Sequence, residues 1–180
     1  MLKLIKTLYH DLSITNSRNY YICCLLGNIP GDFGIAVRQK WFQKKFQSAG
    51  INLRVHYRAT FIHPDRISCG NDVEIGQGCY FQGAGGITIG DNAMIAPFVK
   101  IWSVNHNYKN PDQNIREQGY ETKAVQIGND VWIGADSFIM PGAKIGDKCV
   151  IGACSVLGAK NYPAGSILMG NPARKIGIRR

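Results

Sequence analysis

His106 stands in the stretch IWSVNHNYKN, directly after Asn105. A neutral imidazole near pH 7 is the best general base a side chain supplies. The other histidines, His10, His56 and His63, lie well before it, and no second histidine sits a few residues away to make a metal-binding pair. The six cysteines, at 23, 24, 69, 79, 149 and 154, form no CxxC. Cys149 and Cys154 fall at places in the chain that take small residues, so packing is their expected role. A lone histidine serves as readily in a structural role. What singles out His106 is the pattern it interrupts.

That pattern is a beat of six. From Val125 to Lys160 the chain reads VQIGND VWIGAD SFIMPG AKIGDK CVIGAC SVLGAK, with an aliphatic residue third in each block. The same beat falls on Ile75 and Phe81 and, after a two-residue slip, on Ile89, Ile95 and Ile101. It resumes at Ile127, Ile133, Ile139, Ile145, Ile151 and Leu157 and fades through Pro163 and Met169. Glycine follows it at 76, 90, 128, 134, 146, 152, 158 and 170. A period of six matches neither the helical 3.6 nor strand alternation. It fits a solenoid in which each six makes one short strand and one tight corner. The aliphatic residue points inward and the glycine is expected to help the corner turn. No rung is stable alone; stacking buries a continuous core. Residues 103–124, between Ile101 and Ile127, show no beat and are expected to leave the coil as one long loop. Such a loop inside a compact repeat is usually functional or disordered. His106 sits at its root, where the rigid coil fixes it.

Ahead of the coil, Ile5, Leu8, Tyr9 and Leu12 have helical spacing. Residues 35–48 read as a basic amphipathic helix, with the pairs Val37/Trp41 and Phe42/Phe46 and with Arg38, Lys40, Lys44 and Lys45 between them. NIPGDFG, residues 28–34, is the expected turn before it, and Gly50 the expected C-cap. Of the net charge of +9, residues 1–60 hold +7: nine Lys/Arg against Asp11 and Asp32. A basic front end suits an anionic membrane surface or an anionic substrate, and equally a solvated helix face. A composition 45% hydrophobic and 18% charged is that of a soluble domain. MLKLIKTLYHDLS is not a signal peptide, and YYICCLL is too short to span a bilayer. The expectation is a cytoplasmic chain with reduced thiols, at the inner face of the membrane. Residues 1–50 form a helical extension and residues 51–178 the coil, which begins at about Ile51.

GITIGDNAMIAPFVKIWSVNH, VWIGAD and GNPAR together resemble the hexapeptide-repeat acyltransferases over residues 51–178. Within that family the chain is similar to the maltose/galactoside and xenobiotic acetyltransferases. It is more similar to the O-acetyltransferases of bacterial surface polysaccharides, whose front end LLGNIPGDFGIAVRQKWF also resembles. The resemblance implies an all-β fold: a left-handed parallel β-helix with triangular coils of about 18 residues, a short α-helical N-terminal extension and one long protruding loop. It implies a homotrimer with the active site between two subunits and acetyl-CoA along the groove, with no metal and no nucleic acid. The family's catalytic histidine falls on His106, ten residues after Ala96. His106 would deprotonate an acceptor hydroxyl as it attacks the acetyl thioester, both substrates being bound together. The backbone N–H of Ala135 would hold the oxyanion, and Trp132 would wall the thioester end. Coenzyme A contacts fall on Ala153, Ala159 and Lys160, in a stretch LGAKNYPAG that departs from the family's shorter Thr-Lys-Asp version. Arg174, with Lys175, would meet the phosphates. On the acceptor side the family's amide falls on Gln82, and Asn105 and Tyr108 are further candidates. Where the sugar acetyltransferases carry an Asp, this chain has GAGG, residues 83–86, which disfavours a simple maltose or galactoside acceptor.

The implied activity is acetyl-CoA-dependent O-acetylation of a sugar hydroxyl in a surface-polysaccharide precursor. The alternative acceptor is a free small molecule: maltose, a galactoside, serine or a xenobiotic. More remote are a γ-carbonic anhydrase-like metalloenzyme, which needs three histidines around zinc, and a non-catalytic repeat scaffold.

Overall fold

The computed structural model describes residues 2–179. Three helices, α1 (Leu2–Ser13), α2 (Thr15–Gly27) and α3 (Gly31–Lys45), lead into a three-faced solenoid of short parallel strands. The first face stacks Ser48–Ala49, Ile67–Cys69, Ile87–Ile89, Val125–Ile127, Lys144–Ile145 and Asn161–Tyr162. The second stacks Arg54–Val55, Glu74–Ile75, Met94–Ile95, Trp132–Ile133, Val150–Ile151 and Ser166–Met169, and the antiparallel strand Arg174–Ile178 closes its edge. The third stacks Thr60–Ile62, Tyr80–Gln82, Lys100–Trp102, Phe138–Ile139 and Val156–Leu157.

Every beat residue from Ile75 to Leu157 points into the prism and is buried. Each such aliphatic contributes about 1.5–3 kcal/mol of apolar burial, which no two-residue strand could retain alone. The beat ends differently from its expected course. Tyr162 and Leu168, not Pro163 and Met169, take the inward places, because Tyr162 pairs with Ile145 in register. The chain gains or loses residues at one corner only. First to second face takes six residues in each coil (Cys69 to Ile75, Ile127 to Ile133), as does second to third (Ile75 to Phe81, Ile133 to Ile139). From third to first the count runs eight (Phe61 to Cys69), eight (Phe81 to Ile89), twenty-six (Ile101 to Ile127), six (Ile139 to Ile145) and five (Leu157 to Tyr162).

Gly170 apart (φ 104°), the glycines that follow the beat do not turn the corners. Left-handed backbone falls three places after the inward residue instead: Asn52, Asp72, Asn92, Asp130 and Asp136 have φ of 53° to 58°. Asn and Asp tolerate this conformation better than other side chains. The glycine just after the beat answers a different need, the approach of the next coil. A Cβ on Gly134 would lie 2.5 Å from Ala153 N, and one on Gly76 2.6 Å from Ala96 C. At the corner between the first and second faces, where Gly70, Gly90 and Gly128 make the same approach, runs an amide and carboxylate ladder. Asn71 N–H donates to Asp91 Oδ1 (2.6 Å), Asp91 N–H to Asn129 Oδ1 (2.8 Å) and Asn129 N–H to Asp147 Oδ1 (2.7 Å).

The helix expected at 35–48 starts earlier and stops sooner. Only Asn28, Ile29 and Pro30 of the expected turn stay outside α3, and Gly50 is not its cap. The chain leaves α3 at Phe46 so that this ring can pack with Phe42 against Phe61 in the first coil. Of its basic residues Lys40 and Lys44 are exposed, but Arg38 is not free. Arg38 is 1% exposed and donates to three carbonyls: Val55 O (2.8 Å), Leu26 O (2.9 Å) and Ile29 O (2.7 Å). Its charge is compensated inside and ties α2, α3 and the first coil together. The exposed apolar stripe lies on α1, at Leu4, Ile5, Leu8 and Tyr9. Among the cysteines, burial pushes Cys69 and Cys79 up to about 12, as expected of packing groups. Cys149 is buried, but Cys154 is exposed at a left-handed corner, so packing is not its role. No helix among the described residues is long and apolar enough to cross a membrane.

If close approach is the constraint, two glycines in the same repeat position should behave oppositely. Gly134→Ala should lower stability by about 1–3 kcal/mol, through backbone overlap. A Cβ on Gly158 meets nothing within 4 Å, so Gly158→Ala should be neutral or stabilising by up to about 1 kcal/mol. Thermal midpoints of the two variants check this; equal destabilisation would restore the corner-turning role.

Candidate active site

The site begins with a buried hydroxyl. Ser103, 0% exposed, follows the third-face strand Lys100–Trp102. Its Oγ donates to Gln82 O (2.7 Å) and accepts from Gly85 N–H (2.8 Å), while its carbonyl accepts from Lys123 N–H (2.9 Å). These bonds pin both ends of the long insertion to the GAGG turn of the preceding coil. The insertion is not the structureless loop that the missing beat suggests. Val104–His106 pairs antiparallel with Tyr120–Thr122, setting His106 opposite Tyr120 and Asn105 opposite Glu121. Beyond the hairpin, Gln118 closes the tip: its Nε2 donates to Asn110 O and Gln113 O, both at 2.8 Å.

His106 is exposed, and its ring lies 4.4 Å from that of Tyr120, tilted by 43°. Its ring nitrogens make no hydrogen bond among the described residues; Asn105 Oδ1 instead accepts from the His106 backbone N–H (3.1 Å). Below it opens a groove of about 490 Å³ between the hairpin and the next corners of the coil. Asn105, His106, Tyr108 and Ala159 line it, together with Glu121 and Lys123, which form an ion pair at 3.0 Å. An imidazole with both nitrogens free, at the wall of a polar groove, is equipped to take a proton from a bound hydroxyl.

The remaining expected residues are distributed over the prism. Lys160 is exposed beside Ala159, and Arg174 is exposed on the closing strand of the second face. Gln82 does not line the groove; its Oε1 accepts from Ala84 N–H (3.0 Å) within the GAGG turn. Trp132 lies on the second face with half its surface exposed. Ala135 and Ala153 stack at the next corner, the one between the second and third faces, where Cys154 N–H donates to Ala135 O. The N–H groups of Ala135 and Ala153 make no hydrogen bond among the described residues. Within one chain, then, His106, Tyr108 and Ala159 share a groove, and Trp132, Ala135 and Ala153 belong to another side of the triangle. Among the described residues no three His, Cys, Asp or Glu side chains gather as a metal site.

Sequence reasoning misses Ser103, Tyr120, Glu121 and Lys123. The last three enter through hairpin register across a gap in the repeat, and no period marks them. Ser103 carries a weak signal, a small polar residue two places after the beat at Ile101.

Two family models match the chain: that of the bacterial transferase hexapeptide (six repeats) at residues 124–159, and that of the hexapeptide repeat of succinyl-transferase at residues 66–96. The chain is 31% identical to the galactoside O-acetyltransferase of Escherichia coli (strain K12) over 140 residues, 77% of this chain and 67% of that one. Its fold matches a maltose O-acetyltransferase from Clostridium difficile 630 with a TM-score of 0.81 at 29% identity, over 91% of this chain and 86% of that one. It matches a galactoside acetyltransferase in complex with coenzyme A with a TM-score of 0.79 at 26% identity, over 90% and 80% respectively. The solenoid is thus the left-handed β-helix of acyltransferase enzymes. The chain belongs to the hexapeptide-repeat acetyltransferases.

Ser103→Ala should leave Gly85 N–H without its buried partner, while Gln82 O keeps the Ser103 backbone N–H at 3.0 Å, and should cost about 1–3 kcal/mol. Amide exchange should speed up at Gly85 and Lys123 and across residues 104–122, while the rest of the coil keeps its protection. Unchanged exchange in the hairpin would show that Ser103 does not anchor it.

Proposed function

We propose that the chain is an acetyl-CoA-dependent O-acetyltransferase acting on a sugar hydroxyl of a surface-polysaccharide precursor, with His106 as general base. The observation that carries this reading is the exposed imidazole of His106, free at both nitrogens, on a groove of an acetyltransferase fold.

The acceptor hydroxyl, with a pKa far above 7, is a poor nucleophile until its proton leaves. A ring nitrogen of His106 takes that proton as the oxygen attacks the thioester carbonyl carbon. Tyr120, packed against the ring, limits its swing. The negative charge that develops on the carbonyl oxygen needs a donor, and the free N–H of Ala135 suits that task. The carbon–sulfur bond then breaks, the coenzyme A thiolate recovers the proton from the imidazolium, and the acetyl ester is released. Ala153, Ala159, Lys160 and Arg174 would hold the coenzyme, the basic pair at its phosphates. Gln82, Asn105 and Tyr108 would meet the acceptor; Gln82 would do so only by giving up its bond within the GAGG turn.

The separation of Trp132, Ala135 and Ala153 from His106 within one chain supports a homotrimer, in which one subunit's hairpin works with the second face of its neighbour. The apolar stripe of α1, interleaved with Lys3 and Lys6, supports peripheral contact with an anionic lipid surface, and hence a lipid-linked acceptor at the inner membrane face. A second reading, a free galactoside or maltose as acceptor, is favoured by the likeness to the enzymes named above.

Thiol release from acetyl-CoA should be measured for the wild type and His106→Ala. The acceptor panel would hold nucleotide sugars, glycan fragments, maltose and a thiogalactoside. The expected result is turnover with a glycan precursor, reduced about 10²–10⁴-fold in the variant. Turnover that survives the substitution would remove His106 as the base, and turnover with the free sugars alone would select the second reading.

A further inference from the structure

A second cleft lies on the second face, away from the His106 groove. It has a volume of about 290 Å³ and is lined by His56, Glu74, Gln77, Met94, Pro97 and Trp132, among others. Its walls follow from register. Glu74 pairs with Met94 and Met94 with Trp132, so the three side chains project outward in one column across adjacent strands. At about 4.8 Å per strand, Glu74 and Trp132 stand about 10 Å apart, with Met94 as the floor between them. Trp132 and Met94 are each about half exposed, at 51% and 56%. At the far end His56 Nε2 lies 2.7 Å from Glu74 Oε1.

The chemistry of that pair is directional. An ionised carboxylate only accepts, so Nε2 carries the proton and donates to Glu74. In the neutral ring Nδ1 is then an acceptor, and Glu74 Oε2 is a second. Neither atom has a partner among the described residues. Oε2, held in place by the bond from His56 to its partner oxygen, suits a ring hydroxyl, and the flat indole opposite suits the apolar face of a ring. The half-exposed pair contributes little to folding, so stability alone does not account for it.

We propose that this cleft holds one pyranose ring of the acceptor, with Glu74 accepting from a ring hydroxyl, His56 orienting that carboxylate, and Trp132 covering the ring face. The proposal rests on the two-subunit reading above, in which Trp132 of one subunit works with His106 of its neighbour. Glu74 is a specificity residue in this role and His56 a positioning residue, and neither takes part in proton transfer.

The test separates binding from transfer. Saturation-transfer NMR with methyl β-D-galactopyranoside, maltose and UDP-N-acetylglucosamine should show binding of at least one sugar to the wild type and to His106→Ala. That signal should vanish in Glu74→Ala and Trp132→Ala at unchanged thermal midpoint. In the thiol-release assay, Glu74→Ala should raise the acceptor KM about 10–100-fold, with kcat and the acetyl-CoA KM within about threefold. Glu74→Gln, which keeps an acceptor oxygen, should recover part of the loss. Sugar binding that persists in Glu74→Ala, or an unchanged acceptor KM, overturns the proposal even if acetyl transfer is robust. No signal from any of the three sugars with the wild type also overturns it. Sugar binding that Glu74→Ala abolishes, in a protein that acetylates no acceptor, upholds the cleft and sinks the transferase reading instead.

Discussion

The closeness of successive coils at the corners sets the terms for everything else in this molecule. Backbone there packs on backbone with no side chain between, and only glycine at Gly76 or Gly134 permits it. At the neighbouring corner, between the first and second faces, Asn71, Asp91, Asn129 and Asp147 bond each coil to the next. Remove the close approach and strands of two or three residues have nothing to stack on. Their hydrogen bonds would face water, and their single inward aliphatics would not meet.

The rigidity so obtained serves one point above all. Ser103 sits where the coil would otherwise continue, and its four bonds hold the hairpin that carries His106. The imidazole therefore stands on a structured ribbon with Tyr120 at its side, on a frame that does not yield. At the opposite end Arg38 plays a comparable part for the helices: three carbonyls converge on one guanidinium. Positive charge that reads as surface in the sequence is there an internal fastener.

Much of this is legible in the residues. The inward beat from Ile75 to Leu157, the interruption after Ile101 and the position of His106 at its root follow from period and spacing alone. The coil's handedness does not; it comes through likeness to known folds. The glycines are visible but easily misread, because a sequence shows that a Cβ is missing without showing what it would strike. Arg38 misleads for a related reason: helical spacing with neighbouring lysines looks solvated until three carbonyls converge on it. Glu121 and Lys123 reach the His106 groove, and Tyr120 the His106 ring, through pairing across a gap, which no period records. The His56–Glu74 pair joins residues eighteen apart that meet only because the coil there is twenty residues long and His56 lies just past its strand. The end of the beat slips by one place because a single residue is missing between Leu157 and Tyr162.

The uneven third corner has a wider consequence. Two edges of the triangle are locked at six residues by the glycines and the amide ladder, while the third accepts eight, twenty-six, six or five without altering the stack. That edge is a socket: segments of very different length plug into it, and the prism does not register the change. New recognition could be grafted there, by engineering or by descent, independently of the scaffold's ability to fold. The catalytic candidate and the turn before it both lie on this edge, so their chemistry is the most readily exchanged part of the molecule.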